Sequence, residues 1–184
     1  MINSIKKIKL GIIGLGYVGL PLALEFSKKR KVIGFDISQD RINQLKNNHD
    51  INGEYSYDRL KQAKNLRFVS ELKETNCNCY IITAPTPIDK FKKPNLNFIK
   101  NATEIVGKVL QKQDIVIYES TVYPGCTEEI CVPILEKQTN LKFNVDFYCG
   151  YSPERINPGD KLRTIKDIKK ITSGSTKQVS NLIE

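Results

Sequence analysis

The stretch Lys9-Leu10-Gly11-Ile12-Ile13-Gly14-Leu15-Gly16-Tyr17-Val18-Gly19 decides the fold. Its apolar half reads as a short buried strand, and the glycines at 14, 16 and 19 then follow in the spacing GxGxxG. Beyond them Val18, Leu22, Leu24 and Phe26 share one broad helical face over 18–29. A strand before and a helix after is the context that a dinucleotide-binding loop requires. Gly14 makes the tight turn, Gly16 lets a pyrophosphate approach the backbone, and Gly19 lets the helix pack closely on the strand. The helix N-terminus offers free N–H groups and partial positive charge to the phosphates. Taken alone, the spacing also suits a glycine-rich turn without a ligand.

The next apolar run, 31–37, narrows the choice. It ends in Gly34-Phe35-Asp36-Ile37, which places Asp36 20 residues after Gly16. There a carboxylate accepts hydrogen bonds from an adenosine ribose, and a 2′-phosphate would meet a like charge. NAD is therefore favoured over NADP. The plainer reading is that Asp36 opens a loop or caps the next helix. Arg41, five residues on, weighs slightly the other way, because an arginine near this carboxylate accommodates the NADP phosphate.

Outward from this unit the chain alternates between two patterns. Runs rich in β-branched residues lie at 8–13, 31–37, 66–69, 80–83, 115–118 and 147–151, with a further short one near 168–172. Helical spacing appears at 18–29, 40–48, 97–110 and 125–137, the last kinked or shortened by Pro133. Alternation of this kind predicts an α/β fold: a Rossmann-like, doubly wound, mostly parallel sheet with helices on both faces. No repeat or interdomain linker interrupts it, so residues 1–184 read as one NAD-binding domain.

Composition excludes disorder, collagen and coiled coil, since the 40% hydrophobic and 27% charged shares are ordinary globular values. No apolar run reaches the ~18 residues of a membrane span, and no signal-peptide core follows the N-terminus. A cytoplasmic location is expected. Lys and Arg exceed Asp and Glu by 29 to 20, a net charge of +9 that favours anionic partners. The lysines are scattered, with the tightest cluster at 161–170, and there is no arginine-rich tract, zinc finger or RRM pattern. Nucleic acid is not an expected partner. The five cysteines are odd in number and read as reduced, small hydrophobic residues. Cys77-x-Cys79 lacks zinc-ribbon spacing and only one histidine is present, so no metal site is expected.

Three later strand ends carry small, hydroxyl or proline residues: 82–87 (ITAPTP), 118–125 (YESTVYPG) and 150–160 (GYSPERINPGD). In isolation these are ordinary turn chemistry. Together with GLGYVGLPLA and GFD, the segments APTP, ESTVYPGCTEE and GYSPERINPGD give the chain its resemblance to the N-terminal half of the UDP-glucose/GDP-mannose dehydrogenase family. It resembles most closely the branch that oxidises UDP-N-acetylhexosamines at C6 for capsule and O-antigen synthesis. The similarity runs from about Lys9 to Ser175.

The resemblance implies an NAD-dependent, four-electron oxidation of the sugar C6 alcohol to a carboxylate, by way of a cysteine thiohemiacetal and a thioester. It matches Gly14, Gly16, Tyr17, Val18 and Gly19 to the pyrophosphate loop, and Asp36 and Arg41 to the adenosine side. Thr86 corresponds to a residue beside the cofactor. Thr121 corresponds to a threonine near the nicotinamide, a candidate for holding a catalytic water. Glu154 corresponds to a glutamate near the thioester, a candidate general base, and Arg155 with its loop would lie near the substrate. Read without the resemblance, Glu154 could equally cap a turn. Where some relatives carry a second acid, this chain has Pro158, which speaks for the N-acetylhexosamine branch and against UDP-glucose. None of the five cysteines matches the family's nucleophile, whose motif lies in the C-terminal half with a partnering lysine and asparagine. The chain alone is therefore expected to bind NAD without completing the reaction. The family's full-length protein is a homodimer through a central helix, and this chain alone is compatible with a monomer. The alternative is a stand-alone, non-catalytic NAD-binding module.

Overall fold

The computed structural model describes residues 4–73, 75–155 and 169–184. Its strands are β1 (Leu10–Ile13), β2 (Val32–Phe35), β3 (Leu66–Val69), β4 (Cys79–Ile82), β5 (Ile115–Tyr118), β6 (Tyr148–Tyr151) and β7 (Ser173–Gly174). They form one sheet in the order β3-β2-β1-β4-β5-β6-β7. Every pairing is parallel except that of β6 with β7. The helices are α1 (Gly19–Ser27), α2 (Gln39–Lys46), α3 (Tyr57–Lys61), α4 (Asn97–Gly107), α5 (Val132–Thr139) and α6 (Lys177–Ile183). The doubly wound, mostly parallel α/β architecture expected from the alternation is the one observed.

Strand side chains alternate between two buried layers. Leu10, Ile12, Ile81, Ile115 and Ile117 pack with Leu20 and Leu24 of α1 and with Ile42 and Leu45 of α2. Ile13, Tyr80, Ile82, Val116 and Tyr118 pack with Ile99 and Val106 of α4 and with Leu135 of α5. Covering on both faces explains why the strands are apolar without a polar alternation.

Three expectations shift. The helix expected over 125–137 is divided into a π-helical turn, Thr127–Cys131, and α5. Pro133, in the first turn of α5, has no N–H to give, and the N–H of Val132 reaches back five residues to the Thr127 carbonyl. The run near 168–172 forms no strand over 169–172, and its first residue, Ile168, lies outside the described residues. Pairing instead begins at Ser173, antiparallel to β6. Glycines permit this edge: a Cβ at Gly150 would lie 2.2 Å from Ile183 Cδ1, and one at Gly174 would lie 2.3 Å from Ser180 N, so α6 packs directly on β6 and β7. The short α3 and α6 carry no long apolar period. Ser56 and Thr176 cap them, accepting from the N–H groups of Arg59 and Val179.

Candidate cofactor cleft and active site

The parallel ladder runs one residue past the strand ends. Gly14 N–H donates to Phe35 O (2.8 Å), Asp36 N–H to Val69 O (3.2 Å), Thr83 N–H to Ile13 O (2.9 Å), Glu119 N–H to Ile82 O (2.8 Å) and Ser152 N–H to Tyr118 O (3.0 Å). These five residues therefore stand in a row along the carboxyl edge of the sheet, where ligands bind in open α/β folds.

At one end of the row the glycine loop is held from both sides. Gly14 has φ +98°, a left-handed conformation that suits glycine. A Cβ at Gly19 would stand 1.8 Å from the Gly14 carbonyl oxygen, so no side chain fits there. Gly16 differs: nothing lies within 4 Å of its would-be Cβ, so the protein itself does not require a glycine at that point. The backbone at this point is open to an approaching ligand. The Asp36 carboxylate accepts from Leu15 N–H (2.8 Å) through one oxygen and from Ser38 N–H (2.9 Å) through the other. It thus ties the end of β2 to the loop while keeping lone pairs for a further donor.

Arg41 is placed differently from its sequence expectation. It is buried and does not line the cleft; its Nε and Nη2 donate to the Leu15 carbonyl (3.0 and 2.9 Å), and Nη1 pairs with Asp50 Oδ1 at 2.7 Å. Asp50 in turn accepts from the N–H groups of Asn52, Glu54 and Tyr55. The guanidinium is spent on the loop's backbone, so its contribution to the cleft is to shape Leu15.

Across the cleft, side-chain hydroxyls fasten the loops after β4 and β5. Thr83 Oγ1 donates toward Ile13 O and Gly14 O (3.1 and 2.8 Å), Ser120 Oγ to Ala84 O (2.6 Å), and Thr86 Oγ1 to Thr121 O (2.6 Å). The cleft between these loops and the glycine loop has a volume of about 660 Å³. Gly14, Gly16, Tyr17, Val18, Asp36, Thr86, Thr121 and Glu154 all line it. Gly19 sits beneath them in the first turn of α1.

Glu154 belongs to a carboxylate pair that the sequence reading missed. Lys170 Nζ lies 2.6 Å from Glu119 Oε2 and 2.9 Å from Glu154 Oε2. Burial raises the Glu119 carboxyl to about 7 against the opposing pull of Lys170, and the neighbouring Glu154 adds to the rise. Arg155 is exposed, and its backbone N–H donates to Glu154 Oε1 (2.6 Å). Pro158 lies outside the described residues. Glu119 opens the ESTVYPG segment, and its place directly after an apolar strand was the available signal. Lys170 left none, being one lysine among many.

All five cysteines are buried and unpaired. Burial pushes the Cys79 thiol up to about 12 and the Cys131 thiol up to about 11, and raises Cys77, Cys126 and Cys149 as well. Thiols so protonated are poor nucleophiles. Among the described residues no group of His, Cys, Asp and Glu could hold a metal, and no helix is long and apolar enough to cross a membrane.

Comparison with known proteins gives a consistent picture. A profile of the UDP-glucose/GDP-mannose dehydrogenase family, NAD binding domain, matches residues 8–184. The UDP-N-acetyl-D-glucosamine 6-dehydrogenase of Salmonella typhi is 58% identical over 182 residues, covering 98% of this chain and 43% of that protein. The solved structure of GDP-mannose dehydrogenase from Pseudomonas aeruginosa, a ternary complex, superimposes with a TM-score of 0.86 at 26% identity, over 96% of this chain and 43% of that one. UDP-D-ManNAc dehydrogenase from Pyrococcus horikoshii gives a TM-score of 0.83 at 32% identity, over 95% and 43%. The chain thus spans less than half the length of these relatives.

Proposed function

The chain belongs to the UDP-glucose/GDP-mannose dehydrogenase family as its NAD-binding domain, and from that premise we propose that it forms the cofactor half of a UDP-N-acetylhexosamine 6-dehydrogenase. The complete enzyme, in this reading a homodimer, oxidises the sugar C6 alcohol to a carboxylate for capsule or O-antigen polysaccharide. The cytoplasm, where unpaired thiols stay reduced, is its place of work.

One observation carries the reading. The glycine loop, the Asp36 carboxylate, the Thr86 and Thr121 loops and Glu154 open onto a single cleft. NAD fits the residues present, because the space over Gly16 is free of protein atoms and Asp36 retains acceptor capacity. Bound in this cleft, NAD would supply the hydride acceptor for C6, two molecules being needed for the four electrons. Gly14, Gly16 and Val18 cradle the pyrophosphate at the start of α1, with Gly19 allowing the close approach of that helix. Asp36 accepts from the ribose hydroxyls and repels a 2′-phosphate. Tyr17 and Thr86 flank the cofactor, and Thr121 holds a water near the reacting carbon. Glu154 takes the proton of the water that hydrolyses the thioester, and Arg155 faces the substrate. The buried cysteines of this chain do not supply the thiol of that thioester. We therefore place the nucleophile outside these residues, and the chain alone does not complete the oxidation.

Calorimetric titration with each cofactor tests the proposal. NAD is expected to bind at least about tenfold tighter than NADP, a difference of ~1.4 kcal/mol, and Asp36→Asn should narrow that gap. Tighter binding of NADP would overturn it. Incubation of the chain with NAD and UDP-N-acetylglucosamine should form no UDP-sugar carboxylate; steady formation of that carboxylate would refute the placement of the nucleophile.

A further inference from the structure

The Glu119–Lys170–Glu154 cluster is built from parts of unequal rigidity. Glu119 is the first residue after β5 and is fixed by its N–H bond to Ile82 O. Glu154 lies in the loop after β6, outside any regular element. Its Oε1 accepts from the adjoining Arg155 N–H, and its Oε2 accepts from Lys170. Lys170 lies 16 residues further along the chain and 51 from Glu119, so only the fold brings the three together. All three side chains are largely withdrawn from water: Lys170 is 18% exposed and each glutamate 6%. A buried carboxylate is tolerated only with a partner. Among the described residues, Lys170 bridges the two glutamates.

We propose that Lys170 is the positioning residue for Glu154: anchored by Glu119 to the end of β5, it holds the Glu154 carboxylate at the cleft and keeps a cation beside it. The inference rests on the reading of Glu154 as the base that accepts a water proton. Substituting Lys170 removes that tether and the adjacent cation.

The test follows the glutamate carboxyl groups of the chain by carbon-13 NMR during a pH titration, after NAD binding by the parent chain has been measured. In Lys170→Met the Glu119 midpoint should rise from about 7 by about one to three pH units, the usual effect of losing a neighbouring opposite charge. The Glu154 carboxyl and Arg155 N–H resonances should shift with it, and Lys170→Arg should restore both. Should Lys170→Met fail to fold, Lys170→Gln decides, since loss of the ammonium must move both the Glu154 carboxyl and the Arg155 N–H that donates to it. A parent chain that does not bind NAD overturns the functional reading. A parent that binds NAD, with Glu154 unmoved in the variants, overturns the positioning role alone.

Discussion

Replacing Arg41 with methionine removes a clamp, and its cost can be worked out from the contacts. The guanidinium makes two donations to the Leu15 carbonyl and one ion pair to Asp50, whose side chain is 0% exposed against 10% for Arg41. Breaking a buried pair from one side typically costs about 3–5 kcal/mol, because the remaining charge loses its counterion. Asp50 keeps three backbone N–H donors from Asn52, Glu54 and Tyr55. These offset part of the loss and place the expected cost near the lower limit, at about 3 kcal/mol. For a domain of this size that corresponds to a fall in Tm of about 6–12 °C. Asp50→Asn in the same chain removes the stranded charge, so the double variant should melt above Arg41→Met. Thermal unfolding followed by circular dichroism, with cofactor calorimetry on each variant, reads both effects. Refutation would be an Arg41→Met chain that melts within about 2 °C of the parent and loses binding of one cofactor. That outcome would mean that the guanidinium faces the ligand and not the loop.

Alanine at Gly16 and at Gly19 should separate binding from folding. Gly16→Ala meets no protein atom within 4 Å and should leave Tm nearly unchanged while weakening NAD, whereas Gly19→Ala drives a Cβ into the Gly14 carbonyl and should destabilise the fold itself. Equal loss of stability in both would contradict this division. Asp114 supplies a pH-dependent term: burial pushes its carboxyl up to about 6, against ~3.9 in an unfolded chain, so the folded state binds this proton more tightly. Its contribution is therefore fully present below pH ~4, declines as pH rises to about 6 and is absent above. Asp114→Asn keeps an acceptor for the Gln111 N–H and should be more stable than the parent by on the order of 2 kcal/mol at pH 7, with little difference at pH 4. Guanidinium unfolding at the two pH values measures this, and an advantage equal at both would rule it out.

The parallel part of the sheet, β1 to β6, was legible because each strand is a short, largely apolar run next to turn residues, and both faces are covered. The glycine loop was legible for a stronger reason, since its spacing encodes contacts between backbone atoms that no side chain could replace. Asp36 could be found by counting from Gly16. Arg41 could not be placed this way: proximity to Asp36 in sequence suggested the adenosine side, but its partner Asp50 sits in a stretch without hydrophobic period, and only folding reveals the pair. Lys170 escaped for a similar reason. Its partners lie 51 and 16 residues away, and a lysine's four-carbon stem leaves no periodic trace. The π-helical turn was half visible, in that Pro133 announced a break but not which carbonyl the chain would reach for instead.

The five buried thiols also make the protein its own unfolding clock. A thiol reagent in solution can react only when a cysteine is uncovered, so each labelling rate reports the free energy of the opening that exposes it. Cys79 on β4 and Cys149 on β6 lie in strands paired on both sides and should be modified only as fast as the whole domain opens. Cys77 lies just before β4, where the backbone has not yet entered the ladder, and should react through a smaller, cheaper fluctuation. Ligand protection of the first two, measured against the third, would then show how far occupancy of the cleft is felt through the sheet beneath it.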